Sequence, residues 1–452
     1  MFEKISQFMD EKLSTPMAKL AEQRHLRAIR DGIIATLPLI IVSSMFMVIA
    51  FLPNQMPETW AITQFIQENQ FKILLPYRMS MYIMTLYAVF GIGYSLARSY
   101  KLDGLSGGIM AELAYLLTII PKLVPAASDA VKELAATSPD LQSYLDSAAS
   151  GFVIPMGSLG SGGMFIGIIA AIFAVEVFRF TETKNFKISM PPQVPASVAR
   201  SFEALVPTAI ILIVVSAITM FIGVDVHGIM TKLVAPLVSA TDTLPSVLVI
   251  IFIGMLFWTF GIHGWSIVGT VARPLWLTLL DNNSAAWAAG DAIPHIGPEP
   301  FYQWFIMIGG SGTTIGLAIL FLLKSKSAYG KALGKTAFIP AIFNINEPMI
   351  FGAPIVLNPI LMIPFIIAPM LSATVAWLAT SLGLVNRVVA LAPWTLPGPI
   401  GAYLATGGDW RGAVLNIVLI LLSIVIYLPF FRIYDNKLKA EESGEAVAEE
   451  IA

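Results

Sequence analysis

The chain has 452 residues, of which 56% are hydrophobic and 12% charged. A soluble domain carries about 25% charge, so an ordinary water-soluble enzyme is excluded. There is no cysteine, which excludes disulfides and thiol chemistry on this chain. The four histidines show no metal-ligand spacing, and no metal or cofactor is implied. Basic residues mark loops and ends rather than a stripe, so no nucleic-acid partner is implied either. Apolar runs of roughly 20 residues, enough to cross a bilayer, recur throughout. They predict an all-α polytopic membrane protein; a membrane β-barrel would show short alternating segments.

Residues 1–31 place Phe2, Ile5, Met9, Leu13, Met17 and Leu20 on one helical face, with lysines and arginines beside them. This fits an amphipathic helix on the membrane surface, or one packed on the protein itself. No cleavable signal peptide is expected there. Residues 32–180 form the N-terminal half, with crossings expected at 32–52, 76–97, 105–124 and 160–180 and a polar outer segment at 125–150. The basic flank before the first crossing places the N-terminus in the cytoplasm. Gly163-x-x-x-Gly167 reads as close helix packing.

Residues 181–200 hold Lys184, Lys187 and Arg200 around a proline-rich run, marking a cytoplasmic loop and the main internal boundary. Residues 201–243 contain a fifth crossing at 202–224 and an outer connecting segment. Residues 244–431 form the second half. The apolar stretch 244–280 is too long for one crossing and is split at Gly261–Gly264. Residues 281–300 read as an outer loop or re-entrant turn, followed by a crossing at 301–323. Lys324, Lys326, Lys331 and Lys335 mark a cytoplasmic loop. Six prolines from Pro340 to Pro369 argue against continuous helices and predict a re-entrant hairpin over 337–356. A crossing follows at 357–382, then a second re-entrant element at 387–405 and a last crossing at 412–431. Residues 432–452 form an acidic cytoplasmic tail. The sum is about ten transmembrane helices with two re-entrant hairpins and both termini cytoplasmic.

Glu347, in Asn344-Ile345-Asn346-Glu347-Pro348, is the leading candidate for chemistry. A carboxylate on broken backbone at membrane depth can take a proton and accept hydrogen bonds. Asn344 and Asn346 add donors and acceptors for a ligand. His263, between glycines in Gly261-Ile262-His263-Gly264, can hydrogen-bond a hydroxyl or assist proton transfer. Trp258 and Trp394 are candidates to stack on a sugar face, or belong to the interfacial aromatic belt. His295, Glu299 and Gln303 fit the pocket rim or plain loop roles. Arg200 and Glu203 are expected to pair with each other, and Glu176 with Arg179. The Gly309-Gly310-Ser311-Gly312 run lacks the lysine ending of a phosphate loop and reads as packing or a hinge. From residues alone, a proton-coupled sugar symporter with Glu347 and His263 as a relay fits as well.

Four pieces together resemble one family. They are Asn344–Pro348 with Phe351-Gly352-x-Pro354, the Gly261–Gly264 turn, Ala392-Pro393-Trp394-Thr395, and Val194-Pro195-Ala196-Ser197-Val198-Ala199-Arg200-Ser201-Phe202. The family is the membrane-embedded IIC component of the bacterial phosphotransferase system, in its lactose, cellobiose and N,N′-diacetylchitobiose branch. The resemblance implies a homodimer in the bacterial inner membrane, surrounded by lipid, that imports a disaccharide and has it phosphorylated on the 6-hydroxyl. It implies Glu347 as the catalytic carboxylate, His263 holding the sugar nearby, and Trp258 and Trp394 lining the pocket; Asn344, Asn346 and Arg200 are the further substrate-binding candidates. Because this chain has no cysteine, the phosphorylated IIB protein and its IIA donor are expected as separate partners.

Overall fold

The computed structural model describes residues 23–443, apart from 149, 192, 262, 354 and 357. The amphipathic face expected within residues 1–22 and the acidic tail beyond 443 lie outside the described residues. The chain divides into two compact units, one of Asp31–Thr36 and Tyr82–Lys232, the other of Met1–Arg30, Leu37–Met81 and Leu233–Ala452.

The chain enters through α1 (Arg24–Phe51), whose first turn is capped by the Gln23 side chain accepting from the Leu26 amide at 2.8 Å. Then come α2 (Ala61–Glu68) and α3 (Gln70–Met81). The unit containing Tyr82–Lys232 is built on α4 (Met84–Ser99), α5 (Gly104–Leu116) and α8 (Met164–Thr183). These helices approach closely because small residues face each other. A side chain at Gly93 would meet Ala111 and the Gly107 carbonyl, and one at Gly167 would meet Val89 and Thr85. Gly163 is as tightly enclosed, by Tyr115 and Ser158. Between α5 and α8, strand β1 (Lys122–Val124), helices α6 (Asp129–Ala136) and α7 (Pro139–Ser147), and strand β2 (Gly151–Val153) form a small cap. The strands pair antiparallel, Lys122 opposite Val153. The crossing expected over 105–124 therefore stops at Leu116, because Pro121 cannot continue a helix and the chain turns into β1. The unit continues through α9 (Ala196–Glu203) and α10 (Leu205–Ser216).

The other unit takes over within α11 (Val226–Thr241), which meets α12 (Leu244–Thr259) at a 79° bend. It continues through α13 (Gly264–Ala289), α14 (Glu299–Phe305), α15 (Ile315–Lys324) and α16 (Ala328–Ile342). Then follow α17 (Glu347–Gly352), α18 (Pro359–Ser381), α19 (Gly398–Ala405) and α20 (Trp410–Ser443). The split at Gly261–Gly264 falls where expected. The crossing expected over 301–323 does not form as one helix; a glycine turn separates α14 from α15. The prolines break less than expected. Pro340 lies inside α16, and Pro364 and Pro369 lie inside an unbroken α18. The expected loop at 324–335 is mostly the first turns of α16.

α20 runs well past residue 431 into the expected tail, and its far end is used. Asp435 accepts from Ser325 Oγ at 2.5 Å and the Lys326 amide at 2.8 Å. Glu442 accepts from the Ala328 and Tyr329 amides at 2.9 and 2.8 Å, and from Ser327 Oγ at 2.9 Å. The orphan donors at the start of α16 are thus satisfied from another helix. Six helices among the described residues are long and apolar enough to cross a bilayer, seven if α11 and α12 make one bent span. The protein is a polytopic all-α membrane chain, and the difference from ten lies in helices that are short or broken.

Candidate functional site

The site is assembled on breaks between helices. The first break is the turn between α14 and α15. Gly309, Gly310, Gly312 and Thr313 all have positive φ there, at 74°, 93°, 80° and 54°. Three glycines tolerate this where other residues would be strained. A side chain at Gly310 would also strike Asn346, and one at Gly312 the Phe365 ring. Thr313 Oγ1 donates to the Ile306 carbonyl at 2.6 Å and Thr314 Oγ1 to that of Gly309 at 2.7 Å. Tyr427 closes the turn from α20 by donating to the Gly312 carbonyl at 2.7 Å.

The second break separates α16 from α17 and carries the two asparagines. Asn344 has φ 61°. Its Oδ1 accepts from the Gly309 amide at 2.9 Å, and its Nδ2 donates to the carbonyls of Trp394 and Leu396 at 2.8 and 3.1 Å. Asn346 is buried and donates from Nδ2 to the Ser311 carbonyl at 2.7 Å and to Thr314 Oγ1 at 3.2 Å. Both amides expected to face a ligand are engaged with the protein's own turns. Glu347 follows as the first residue of α17 and is exposed. Its carboxylate has no hydrogen-bond or ion-pair partner among the described residues, which leaves both oxygens available.

The third break joins α12 to α13. Gly261 has φ 79°. Gly264 sits so close to the Gly254 carbonyl that a side chain would collide with it. His263 caps α13: its Nδ1 accepts from the Ser266 amide at 3.2 Å and lies 3.0 Å from Ser266 Oγ. With Nδ1 accepting, the neutral ring carries its proton on Nε2 and presents it as a donor. The ring lies 4.5 Å from that of Trp258, centroid to centroid. Trp258 is 4% exposed, so it backs the imidazole rather than standing open. Glu347 is close enough to His263 to act on its ring electrostatically.

Trp394 lies on the non-helical stretch before α19 and is 52% exposed, with its backbone carbonyl held by Asn344. A cavity of about 210 Å³ opens beside Asn344, between Ile308, Ile315, Phe338, Ile342 and Ile420. These walls are apolar and offer a sugar almost nothing to bond.

The remaining candidates are placed elsewhere. Arg200 belongs to the other unit, where its Nε lies 3.6 Å from Asp103. The expected Arg200–Glu203 pair does not form, because Glu203 is taken by Lys187 at 2.8 Å, which also holds Glu182 at 2.7 Å. Glu176 and Arg179 do pair, at 3.0 Å. Glu299 is held by Arg273 through Nε at 3.0 Å and a terminal nitrogen at 2.7 Å, and His295 by Asp242 at 2.9 Å. Both side chains are thus engaged with other parts of the chain. Gln303 Nε2 is buried with no partner among the described residues.

Comparison with known proteins identifies the family. The family model described as "Phosphotransferase system, EIIC" matches residues 30–369. The chain is 41% identical over 442 residues to the putative permease IIC component YwbA of Bacillus subtilis (strain 168), covering 96% of each. It is 37% identical over 445 residues to the cellobiose-specific EIIC component of Geobacillus stearothermophilus, covering 97% of this chain and 96% of that one. Its structure matches that of the transporter ChbC, the IIC component from the N,N′-diacetylchitobiose-specific phosphotransferase system. That match has a TM-score of 0.84 and 35% identity, covering 97% of this chain and 100% of ChbC. A carboxylate without a partner among the described residues, within electrostatic reach of a histidine on the broken helices of a polytopic membrane chain, comes with likeness over nearly the whole length: the chain belongs to the EIIC family of the phosphotransferase system.

Proposed function

We propose that the protein imports a β-linked disaccharide of the cellobiose, diacetylchitobiose or lactose type and presents its 6-hydroxyl for phosphorylation. The carrying observation is the Glu347 carboxylate, without a hydrogen-bond or ion-pair partner among the described residues and within electrostatic reach of the His263 ring, which rests on Trp258. A sugar hydroxyl is a weak nucleophile until a base takes its proton. Glu347 takes that proton as the 6-oxygen attacks phosphorus. His263 donates from Nε2 to a neighbouring oxygen and fixes the ring. The exposed face of Trp394 takes the apolar C–H side of the sugar. Phosphoryl transfer then depends on positioning and on charge stabilisation.

The phosphoryl group comes from a cysteine of a phosphorylated IIB partner, itself charged by IIA, since this chain holds no thiol. The oxygen–phosphorus bond forms as the sulfur–phosphorus bond breaks and the thiolate leaves with IIB. The assembly is a homodimer in the bacterial cytoplasmic membrane, in contact with its lipid, with both termini on the cytoplasmic side.

The test places the purified protein in lipid vesicles and supplies phosphorylated IIB with labelled cellobiose, diacetylchitobiose and lactose in turn. Sugar 6-phosphate should form from one of them only when phosphorylated IIB is present. Accumulation of free sugar under a proton gradient alone would replace this reading with symport.

A further inference from the structure

We propose that Asn344 is a positioning residue, which fixes the Trp394 platform and the Glu347 carboxylate in one frame. This rests on the site reading above and goes beyond it.

A side-chain amide offers two donors and an acceptor oxygen, and Asn344 uses both kinds on backbone from two different segments. Its oxygen holds the Gly309 amide at 2.9 Å; its nitrogen holds the Trp394 and Leu396 carbonyls at 2.8 and 3.1 Å. The stretch of chain around Trp394 has no helix of its own until Gly398. Its carbonyls cannot be satisfied by a helical ladder, and unsatisfied backbone is costly at membrane depth. One asparagine therefore fixes the height and direction of the segment that displays the tryptophan. Its own backbone leads into Glu347 three residues later, in a left-handed turn that asparagine, aspartate and glycine tolerate best. Asn346 ties the same arm to the same glycine turn by donating to the Ser311 carbonyl and Thr314 Oγ1. A sugar stacked on Trp394 is thereby carried to a set distance from Glu347, although the two residues lie far apart in sequence.

Asn344→Asp isolates the donors. It is isosteric, suits the left-handed backbone and keeps the acceptor for Gly309, but turns an oxygen towards two carbonyls. The test is a double-mutant cycle on equilibrium sugar binding to the purified full-length protein, with single-turnover phosphorylation measured in parallel. Asn344→Asp should weaken binding about tenfold, the scale of lost hydrogen bonds, and slow phosphoryl transfer as well. In a Trp394→Ala background it should change binding less than about twofold, because its route to the sugar is already gone. An equal loss in both backgrounds would mean that Asn344 acts on the sugar by a route that does not pass through Trp394, which overturns the proposal. No loss in the otherwise unchanged protein would reduce the staple to a fold element. If Trp394→Ala alone leaves binding intact, the site reading fails instead. Asn344→Gly, which also suits the turn and removes all three bonds, carries the same cycle should the aspartate variant not fold.

Discussion

The His263 ring stands 4.5 Å from the Trp258 ring, tilted by 49°, and its Nδ1 is occupied by the Ser266 amide at 3.2 Å. The imidazole is thus fixed in plane, tautomer and height before any sugar arrives. His263→Ala removes the Nε2 donor and the helix cap together. It should weaken sugar binding about tenfold and slow phosphorylation, as loss of one hydrogen bond to a positioned donor implies. Isothermal binding measurements with the full-length protein check this; unchanged affinity would make the histidine a cap and nothing more.

Glu347→Gln keeps the shape of the side chain and removes the base. Disaccharide binding should change less than about threefold, while sugar phosphate formed with phosphorylated IIB should fall by roughly a hundredfold or more, the range for a general base. Undiminished product from this variant ends the assignment of the carboxylate.

Gly264→Ala tests the geometry of the α12–α13 turn without touching a reacting group. The added methyl would strike the Gly254 carbonyl, so the helices must separate. Overpacking of this kind costs about 1–3 kcal/mol. The melting temperature of the purified protein should fall and binding should weaken with it, because His263 moves with the turn.

Asp409 gives a prediction in pH. Burial alone would raise its pKa. The Arg411 side chain, 2.8 Å away, and the amides of Asn386 and Arg411 outweigh burial and hold the carboxyl below its usual value. A carboxylate depressed in the folded state stabilises it above the unfolded pKa, and that contribution is lost as pH falls through the folded value. Thermal melts should show a stability gap between the natural protein and Asp409→Asn at pH 7 that closes as pH drops below about 4. A gap that stays constant down to pH 3 would assign it to shape rather than charge.

Much of this was legible in the residues because the cues are local. Proline and glycine beside a charged residue located the Glu347 arm, and two glycines around a histidine located the α12–α13 turn. The i,i+3 spacing gave Glu176 and Arg179. What could not be read is which distant partner each polar group finds. Arg200 and Glu203 are neighbours in sequence, yet each pairs elsewhere, with Asp103 and Lys187. The glycine run at 309–312 announced a turn, but not that asparagines some 35 residues on would brace it. Such pairs leave no periodic signature, since topology and not spacing brings them together. Breaks within an apolar run are equally hard to read: the run at 301–323 is two short helices around a glycine turn.

The cap on α16 bears on how the protein is made. Lys326 waits for Asp435, which lies 109 residues later in the chain. Synthesis delivers the helix long before it delivers the carboxylates that finish its first turn. Ser327 caps the Gly330 amide from within the helix, so what waits for α20 is the partner of the Lys326, Ala328 and Tyr329 amides. A missense change at Asp435 or Glu442 would show itself during biogenesis, as a shortfall of assembled protein, with little change in the turnover of those molecules that reach the membrane intact.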